Sequence, residues 1–168
     1  MSMATVSSED KAHIEIVPFH EADLDEIMAI EDVSFSAPWS RQSYLDLAPL
    51  DTISFFVVKQ DDRVVGYMLY QTWEEEMELH TIAVDPNHRR EGVGRRMLEY
   101  LLSDATTRGV ERVFLQVRPS NVAARTLYTQ FGFYVIGVRH HYYRDNYEDA
   151  LVMRRDLRRE NQSHSSPL

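Results

Sequence analysis

The chain has 168 residues, of which 43% are hydrophobic, and a formal net charge of −9. This length supports one domain with a sizeable core, and the absence of cysteine excludes disulfides, thiolate metal sites and a cysteine nucleophile. No apolar run approaches the ~20 residues of a membrane span, and the N-terminal residues lack the apolar region of a signal peptide, so we expect a soluble cytoplasmic protein. The acidic charge argues against general nucleic-acid binding and favours basic partners.

The chain predicts one domain at residues 14–157, with polar tails at residues 1–13 and 158–168. A short strand at residues 14–17 precedes an amphipathic helix that begins near Asp23. A second short helix follows, and after it two β-rich runs separated by three polar residues predict a hairpin.

The second half of the domain continues the alternation of strands and helices. Ser40 can cap the second helix, and Ser120 or Asn121 can cap the last one. Four further strands are predicted, at residues 77–84, 110–117, 133–138 and 149–153. The order β-α-α-β-β-β-α-β-α-β-β implies an α/β architecture, with a mixed sheet that carries helices on both faces.

The segment between the strand at residues 77–84 and the following helix has the composition of a phosphate site. Arg89 and Arg90 precede two glycines, Gly92 and Gly94. Glycines let the backbone approach a phosphate closely, and the free N–H groups of the first helical turn favour negative charge. The same residues are also compatible with a plain tight turn.

Two familiar phosphate loops do not match this segment. A Walker loop needs lysine and then serine or threonine after its glycines, where this chain has Arg95 and Arg96. A dinucleotide fingerprint needs a third glycine, where Met97 stands. The loop must therefore serve a different kind of ligand, if it binds one.

Three stretches of the chain resemble the GNAT superfamily of acetyltransferases. The first is RREGVG at residues 89–94, which is similar to the superfamily's coenzyme A signature, Q/R-x-x-G-x-G/A. The second is LQVRPSNVAARTLYTQFGF at residues 115–133. The third, RHHYYRDNYEDALVM at residues 139–153, resembles the tyrosine-rich ending of protein N-terminal acetyltransferases. The chain looks like a bacterial group that acetylates the N-terminal alanine of a small-subunit ribosomal protein.

The resemblance implies the GNAT fold, a mixed sheet of about seven strands whose fourth and fifth strands splay apart to admit acetyl-CoA. It also implies that the backbone at residues 82–84 holds the pantetheine arm and that residues 90–95 cradle the pyrophosphate. The implied coenzyme contacts are Ile82, Ala83, Val84, Arg89, Arg90, Glu91, Gly92, Val93, Gly94, Arg95, Asn121, Ala124 and Tyr128.

Tyr128 and Asn121 each have a structural and a functional interpretation. Helical spacing places Tyr128 on an inward face, which predicts a core residue, but the resemblance implies that its hydroxyl protonates the departing thiolate. A free tyrosine pKa near 10 suits that role. Asn121 matches the superfamily's contact to the coenzyme arm and is equally a plain helix cap.

The general base is where the sequence departs from the group that it resembles. That group is expected to carry glutamate where this chain has Gln116, which cannot take a proton. Glu78 and His80 lie two residues apart on the central strand, so regular alternation would place both on one face. Glu78, His80 or a water relay could then accept the proton.

The closing segment is the predicted acceptor site. Tyr142 and Tyr143 resemble the pair that grips the substrate backbone in N-terminal acetyltransferases, with His80 nearby, although edge packing would explain two tyrosines as well. We predict no metal, because the adjacent His140 and His141 point to opposite strand faces and no third ligand has suitable spacing.

These residues predict an acetyl-CoA-dependent acetyltransferase for a protein N-terminal α-amine, with a basic ribosomal protein as partner. Neither nucleic acid nor a membrane is expected as a direct partner. A small-molecule amine or a protein lysine is the alternative acceptor, and an acetyl-CoA-binding module with weak catalysis is the alternative from another class. The sequence leaves the oligomeric state open.

Overall fold

The structure is a computed structural model that describes residues 13–157. Its strands are β1 Ile14–Pro18, β2 Ile53–Gln60, β3 Arg63–Trp73, β4 Glu76–Val84, β5 Arg112–Val117, β6 Tyr134–Arg139 and β7 Ala150–Asp156. The α-helices within the described range are α1 Leu24–Ser34, α2 Arg41–Leu47, α3 Val93–Thr107 and α4 Val122–Gln130. The predicted α/β class and element order are confirmed. The two predicted tails lie outside the described residues, apart from His13.

The strands form one mixed sheet in the order β1-β2-β3-β4-β5-β7-β6. Hydrophobic residues pack on both of its faces, and alternate residues of β3 belong to different clusters. Tyr67 and Leu69 pack with α1 and α2, whereas Met68 and Tyr70 pack with α3. The predicted inner face of α3 is buried throughout, at Met97, Leu98, Leu101, Leu102 and Ala105.

The helices begin and end at the capping residues that the sequence indicated. The Ser40 side chain accepts a hydrogen bond from the Ser43 amide at 3.1 Å, which caps α2. Asn121 Oδ1 accepts one from the Ala124 amide at 3.2 Å, which caps α4. Gly109 follows α3 with φ of +76°, a conformation that glycine adopts without strain.

The last strand extends further than the sequence indicated. We predicted a strand at residues 149–153, because the apolar run ends there, but β7 continues to Asp156. Arg154 is paired on both sides, with Phe114 of β5 and with Tyr134 of β6. Two neighbouring strands thus hold charged residues in an extended conformation that their own pattern does not indicate.

The sheet is interrupted between β4 and β5. These two strands pair in parallel only from Glu76 to Leu79 and from Arg112 to Leu115. Beyond that point β4 stays paired with β3 and β5 stays paired with β7, so the two strands separate. The separation agrees with the splay that the resemblance implied, and it positions the site described below.

None of the helices within residues 13–157 has both the length and the apolar character needed to cross a bilayer.

Candidate active site

The separated ends of β4 and β5 open into a cleft of about 620 Å³. Its walls come from both strands, from the start of α4, from the α1–α2 connection and from the segment after β6. Eight residues that the sequence singled out line it together: Glu78, His80, Ile82, Gln116, Asn121, Tyr128, Tyr142 and Tyr143. They come from four parts of the chain, β4, β5, α4 with its cap and the segment after β6, and the splayed strands bring them to one place.

The remaining predicted coenzyme residues lie beside the cleft rather than along its lining. Ala83 is buried among the residues that pack with α1 and α2, and Val84 and Ala124 pack against the cluster that includes α3. We predicted that the backbone at the end of β4 holds the pantetheine arm. The placement of these side chains does not test that prediction. Residues 89–95 form the connection into α3 and its first turn.

The first turn of α3 presents unpaired backbone donors. Gly92 caps the helix with φ of +80°, and the first helical hydrogen bond runs from the Arg96 amide to the Gly92 carbonyl at 3.0 Å. The amides of residues 93–95 therefore precede the helical ladder. Within residues 13–157, the exposed side chains of Arg89 and Arg90 have no hydrogen bond or ion pair. This arrangement fits an anionic ligand.

Two other residues of the loop are engaged by neighbours. Arg95 donates a hydrogen bond to Gln130 Oε1 at 2.8 Å, and its guanidinium lies 5.3 Å from the centre of the Phe131 ring. Glu91 accepts at 3.0 Å from His88 Nδ1. The loop is thus joined to the end of α4, while Arg89 and Arg90 remain available.

Tyr128 combines deep burial with a hydroxyl that has no hydrogen-bond partner in the described part of the chain. Only 7% of the residue is exposed, and its ring packs edge-on against Phe133 with 5.9 Å between the centroids. The residue nevertheless lines the cleft. Burial raises the pKa of its hydroxyl, so the group keeps its proton at neutral pH. A buried tyrosine hydroxyl normally bonds to something, and here the cleft side offers the place for that partner.

The pairing of β4 with β3 is irregular at His80. Leu79 is paired with Tyr70 and Thr81 with Leu69, so no residue of β3 lies opposite His80. This extra residue interrupts the ladder, but His80 bonds to the side chain of Gln71, the β3 residue that pairs with Glu78, so His80 and Glu78 lie on the same side of the sheet as expected. Both residues still line the cleft. Nothing in the sequence marks the bulge.

His80 is a neutral side chain at physiological pH. Its Nε2 lies 2.9 Å from Gln71 Oε1, and its ring meets Trp73 edge-on at 6.3 Å. Burial lowers the pKa of the imidazole, and the nearby Glu78 carboxylate opposes that shift. His80 is therefore held as a neutral hydrogen-bonding group.

Glu78 and Gln116 stand on either side of the point where the strands separate. Glu78 is paired with Phe114, two residues before Gln116 on β5. A second cavity of about 190 Å³ shares Glu78, Leu115 and Gln116 with the main cleft. The half-buried Glu78 side chain has no hydrogen bond or ion pair among residues 13–157, so its carboxylate is free to accept a proton.

Sequence reasoning missed two residues of the acceptor side, Glu31 and Arg118, although both line the cleft. Glu31 is 1% exposed and accepts hydrogen bonds from the Trp39 amide at 2.8 Å and from the hydroxyls of Tyr44 and Tyr67. The signal that could have indicated it is its spacing, because Glu31 follows Ile27 by four residues and Leu24 by seven and so falls on the apolar face of α1. Arg118 follows β5 directly and contacts the segment after β6.

Comparisons with known proteins agree with this geometry. The sequence profile of the acetyltransferase (GNAT) family matches residues 24–133. A relative from Salmonella typhimurium, named [ribosomal protein bS18]-alanine N-acetyltransferase, is 35% identical over 133 residues, which are 78% of this chain and 89% of the relative. A Bacillus subtilis relative with the putative form of that name is 32% identical and covers 78% of this chain and 87% of its own length.

Solved structures show the same likeness. The crystal structure of the ribosomal-protein-S18-alanine N-acetyltransferase from Escherichia coli matches with a TM-score of 0.80 and 32% identity, over 86% of this chain and 94% of that chain. Ard1 from Thermoplasma volcanium has the same TM-score at 26% identity and covers 86% and 97% of the two chains.

The fold and the cleft define an acyltransferase, and its relatives are named N-acetyltransferases. The chain belongs to the GNAT family of acetyltransferases, which use acetyl-CoA.

Proposed function

We propose that this protein transfers an acetyl group to the N-terminal α-amine of a protein, specifically the N-terminal alanine of ribosomal protein bS18. The observation that carries the proposal is the similarity to a relative that is named for this reaction and is 35% identical over 89% of its own length. The cleft supports it, because Tyr142 and Tyr143 line it and because β4, which forms part of its wall, leads into the predicted coenzyme loop.

The residues at the start of α3 fit the coenzyme. Arg89 and Arg90 supply free positive charge, and the backbone amides of residues 93–95 supply donors for a pyrophosphate. The backbone of residues 82–84, at the end of β4, would hold the pantetheine arm, and Asn121 would contact it. Bound acetyl-CoA supplies an activated acetyl thioester to the cleft.

Two groups of the chain move or hold protons in this proposal. The Glu78 carboxylate accepts the proton of the acceptor ammonium, directly or through a water, because Gln116 cannot. Tyr128 holds a proton at its hydroxyl for the leaving group. An α-amine with a pKa of roughly 8 is already about a tenth neutral near pH 7, so the base has less to do than it would for a lysine.

The acceptor is expected to be a basic protein segment. The net charge of −9 favours encounter with such a partner. His80, neutral at pH 7, would stand as a hydrogen-bonding group beside the amine rather than as a competing positive charge.

Acetyl transfer to three matched peptides tests the proposal. One peptide begins with the N-terminal residues of bS18, the second is the same peptide with a blocked N-terminus, and the third has its first alanine replaced by leucine. We expect turnover of the first, no acetylation of lysine in the second, and a lower kcat/KM for the third. Lysine acetylation in the blocked peptide would contradict the proposal. Tight acetyl-CoA binding without turnover of any peptide would instead identify a binding module.

A further inference from the structure

Arg118 lies between β5 and α4 and makes five contacts with the segment that follows β6. Its guanidinium is 3.8 Å from the centre of the Tyr143 ring. Its Nη2 donates to both carboxylate oxygens of Asp145 at 3.0 Å each, and its Nη1 donates to Asn146 Oδ1 at 3.1 Å and to Glu148 Oε2 at 3.4 Å. One side chain therefore stacks on a cleft residue and holds the loop behind it.

The acidic partners of Arg118 also bond to the α1–α2 connection and to the turn before α4. Asp145 also accepts a hydrogen bond from Ser36 Oγ, on the α1–α2 connection. Glu148 accepts from the Ser120 amide at 2.8 Å and from Ser120 Oγ at 3.0 Å. Hydrogen bonds from Ser36 and Arg118 lower the pKa of Asp145, which keeps this carboxylate ionised.

The backbone of this loop is strained, and contacts inside the loop as well as those from Arg118 maintain it. His141 and Tyr147 have φ of +52° and +57°, in the left-handed region that side chains other than glycine rarely adopt. Residues in sparsely populated conformations persist only where surrounding contacts fix them. The His141 amide bonds to Asp149 and the His141 ring to the Tyr147 carbonyl, and the Arg118 contacts add the link from this loop to the end of β5.

We propose that Arg118 is a positioning residue that sets the acceptor side of the cleft through Tyr143 and Asp145. The inference rests on the proposed function, because it takes the wall formed by Tyr142 and Tyr143 as the place where the acceptor chain binds. A planar guanidinium can stack on a ring and bind a carboxylate with two donors at once, whereas a lysine ammonium can do neither in the same way.

Loss of Arg118 should weaken binding of the acceptor and leave binding of the coenzyme unchanged. All five contacts are with the segment after β6, and none is with residues 89–95 at the start of α3. Removing the guanidinium also leaves the Asp145 and Glu148 carboxylates without their shared counter-charge. Tyr143 and the Ser36 contact would then lose their fixed positions relative to β4 and β5.

The test compares Arg118→Gln and Arg118→Lys with Arg125→Lys, a matched control on α4. Among residues 13–157 its guanidinium bonds only to the Pro119 carbonyl, at 2.9 Å. We expect the KM for an alanine-starting peptide to rise about tenfold or more in both Arg118 variants, because small displacements of positioning groups are costly. The acetyl-CoA Kd from calorimetry and the kcat should change little. The control should behave like the wild type.

A milder variant, Asp145→Asn, keeps the inference testable if the Arg118 variants do not fold. It should raise the peptide KM without changing the acetyl-CoA Kd. An unchanged peptide KM in every folded variant would overturn the inference, and so would a parallel loss of acetyl-CoA binding. If the wild type itself does not acetylate the peptide, the proposed function fails, whereas normal wild-type turnover with unchanged variant KM rejects the role of Arg118 alone.

Discussion

Tyr128 lines the cleft with a protonated hydroxyl. This hydroxyl has no hydrogen-bond partner among residues 13–157. Tyr128→Phe should lower the single-turnover rate about 10²-fold or more, which is the range for losing a general acid. Acetyl-CoA affinity should change little, because the ring still packs against Phe133. Tyr70→Phe is the matched control, since that hydroxyl bonds to Asp104 outside the cleft. A near wild-type rate for Tyr128→Phe would return the residue to a purely structural role.

Glu78 is the proposed proton acceptor, and its variant should show a characteristic pH dependence. Glu78→Gln should lower kcat about 10²-fold at neutral pH, and the deficit should shrink as pH rises past ~8, because the α-amine then loses its proton unaided. His80→Gln should have a smaller effect, and Gln116→Glu should be tolerated or improve turnover. Full activity of Glu78→Gln from about pH 6 to about pH 9 would show that solvent alone removes the proton.

The positions of these residues were predictable to different degrees. Tyr128 and Gln116 belong to contiguous motifs, so their place in the fold follows once the neighbouring strand and helix are recognised. The place of His80 in the ladder was not predictable in the same way, because it is an extra residue of β4 that has no partner in β3. A bulge of this kind arises from pairing between strands and leaves no pattern in the strand itself.

The connection from β4 into α3 can be tested through Gly94. A Cβ added there would lie 3.5 Å from Leu127 Cδ2 and 3.9 Å from Val84 Cγ2, which is ordinary van der Waals contact. Gly94→Ala should therefore keep the fold and most of the coenzyme affinity. Gly94→Glu adds negative charge beside the free amides of α3 and should weaken acetyl-CoA binding by about 10²-fold or more, measured by calorimetry. Equal affinities for the two variants would show that no anion binds at this helix end.

Glu31 joins α1 to the Trp39 amide of the α1–α2 connection, to Tyr44 of α2 and to Tyr67 of β3. Glu31→Ala leaves two buried hydroxyls and a part-buried amide without this acceptor, so the free energy of unfolding should fall by about 3 kcal/mol or more in a urea titration. Glu31→Gln keeps one carbonyl acceptor and the side-chain volume, and it should lose clearly less. Equal losses in the two variants would mean that volume, and not hydrogen bonding, explains the effect.

The elements themselves were largely predictable, while the contacts between them were not. Helical spacing and capping residues predicted α3 and α4 because the information is local. The separation of β4 from β5 came from the family resemblance, since no periodicity reports where pairing between two strands stops. Arg118 and Asp145 lie 27 residues apart, so their bidentate contact depends on the order of β5, β6 and β7 in the folded sheet.

Buried tyrosines on both faces of the sheet make the stability of the whole molecule sensitive to alkaline pH. Burial raises the pKa of Tyr44, Tyr67, Tyr70 and Tyr128 well above the ordinary value. In the unfolded chain these hydroxyls ionise near pH 10, whereas in the folded protein they keep their protons. The unfolded state therefore binds fewer protons above that pH. Stability is fully present below about pH 10 and is lost as pH rises from there towards the folded-state values.

The free energy of unfolding from urea titrations should accordingly be level from about pH 8 to 9.5 and fall between about pH 10 and 11. Each buried tyrosine contributes up to about 1.4 kcal/mol per pH unit to the slope. Lys59, whose pKa is raised by its hydrogen bond with Asp23, acts in the same direction, so the wild-type slope alone does not isolate the tyrosines. Tyr70→Phe should be less stable at neutral pH and should show a shallower alkaline slope by about one proton. An identical slope in this variant would show that Tyr70 ionises in the folded protein as readily as in the unfolded chain.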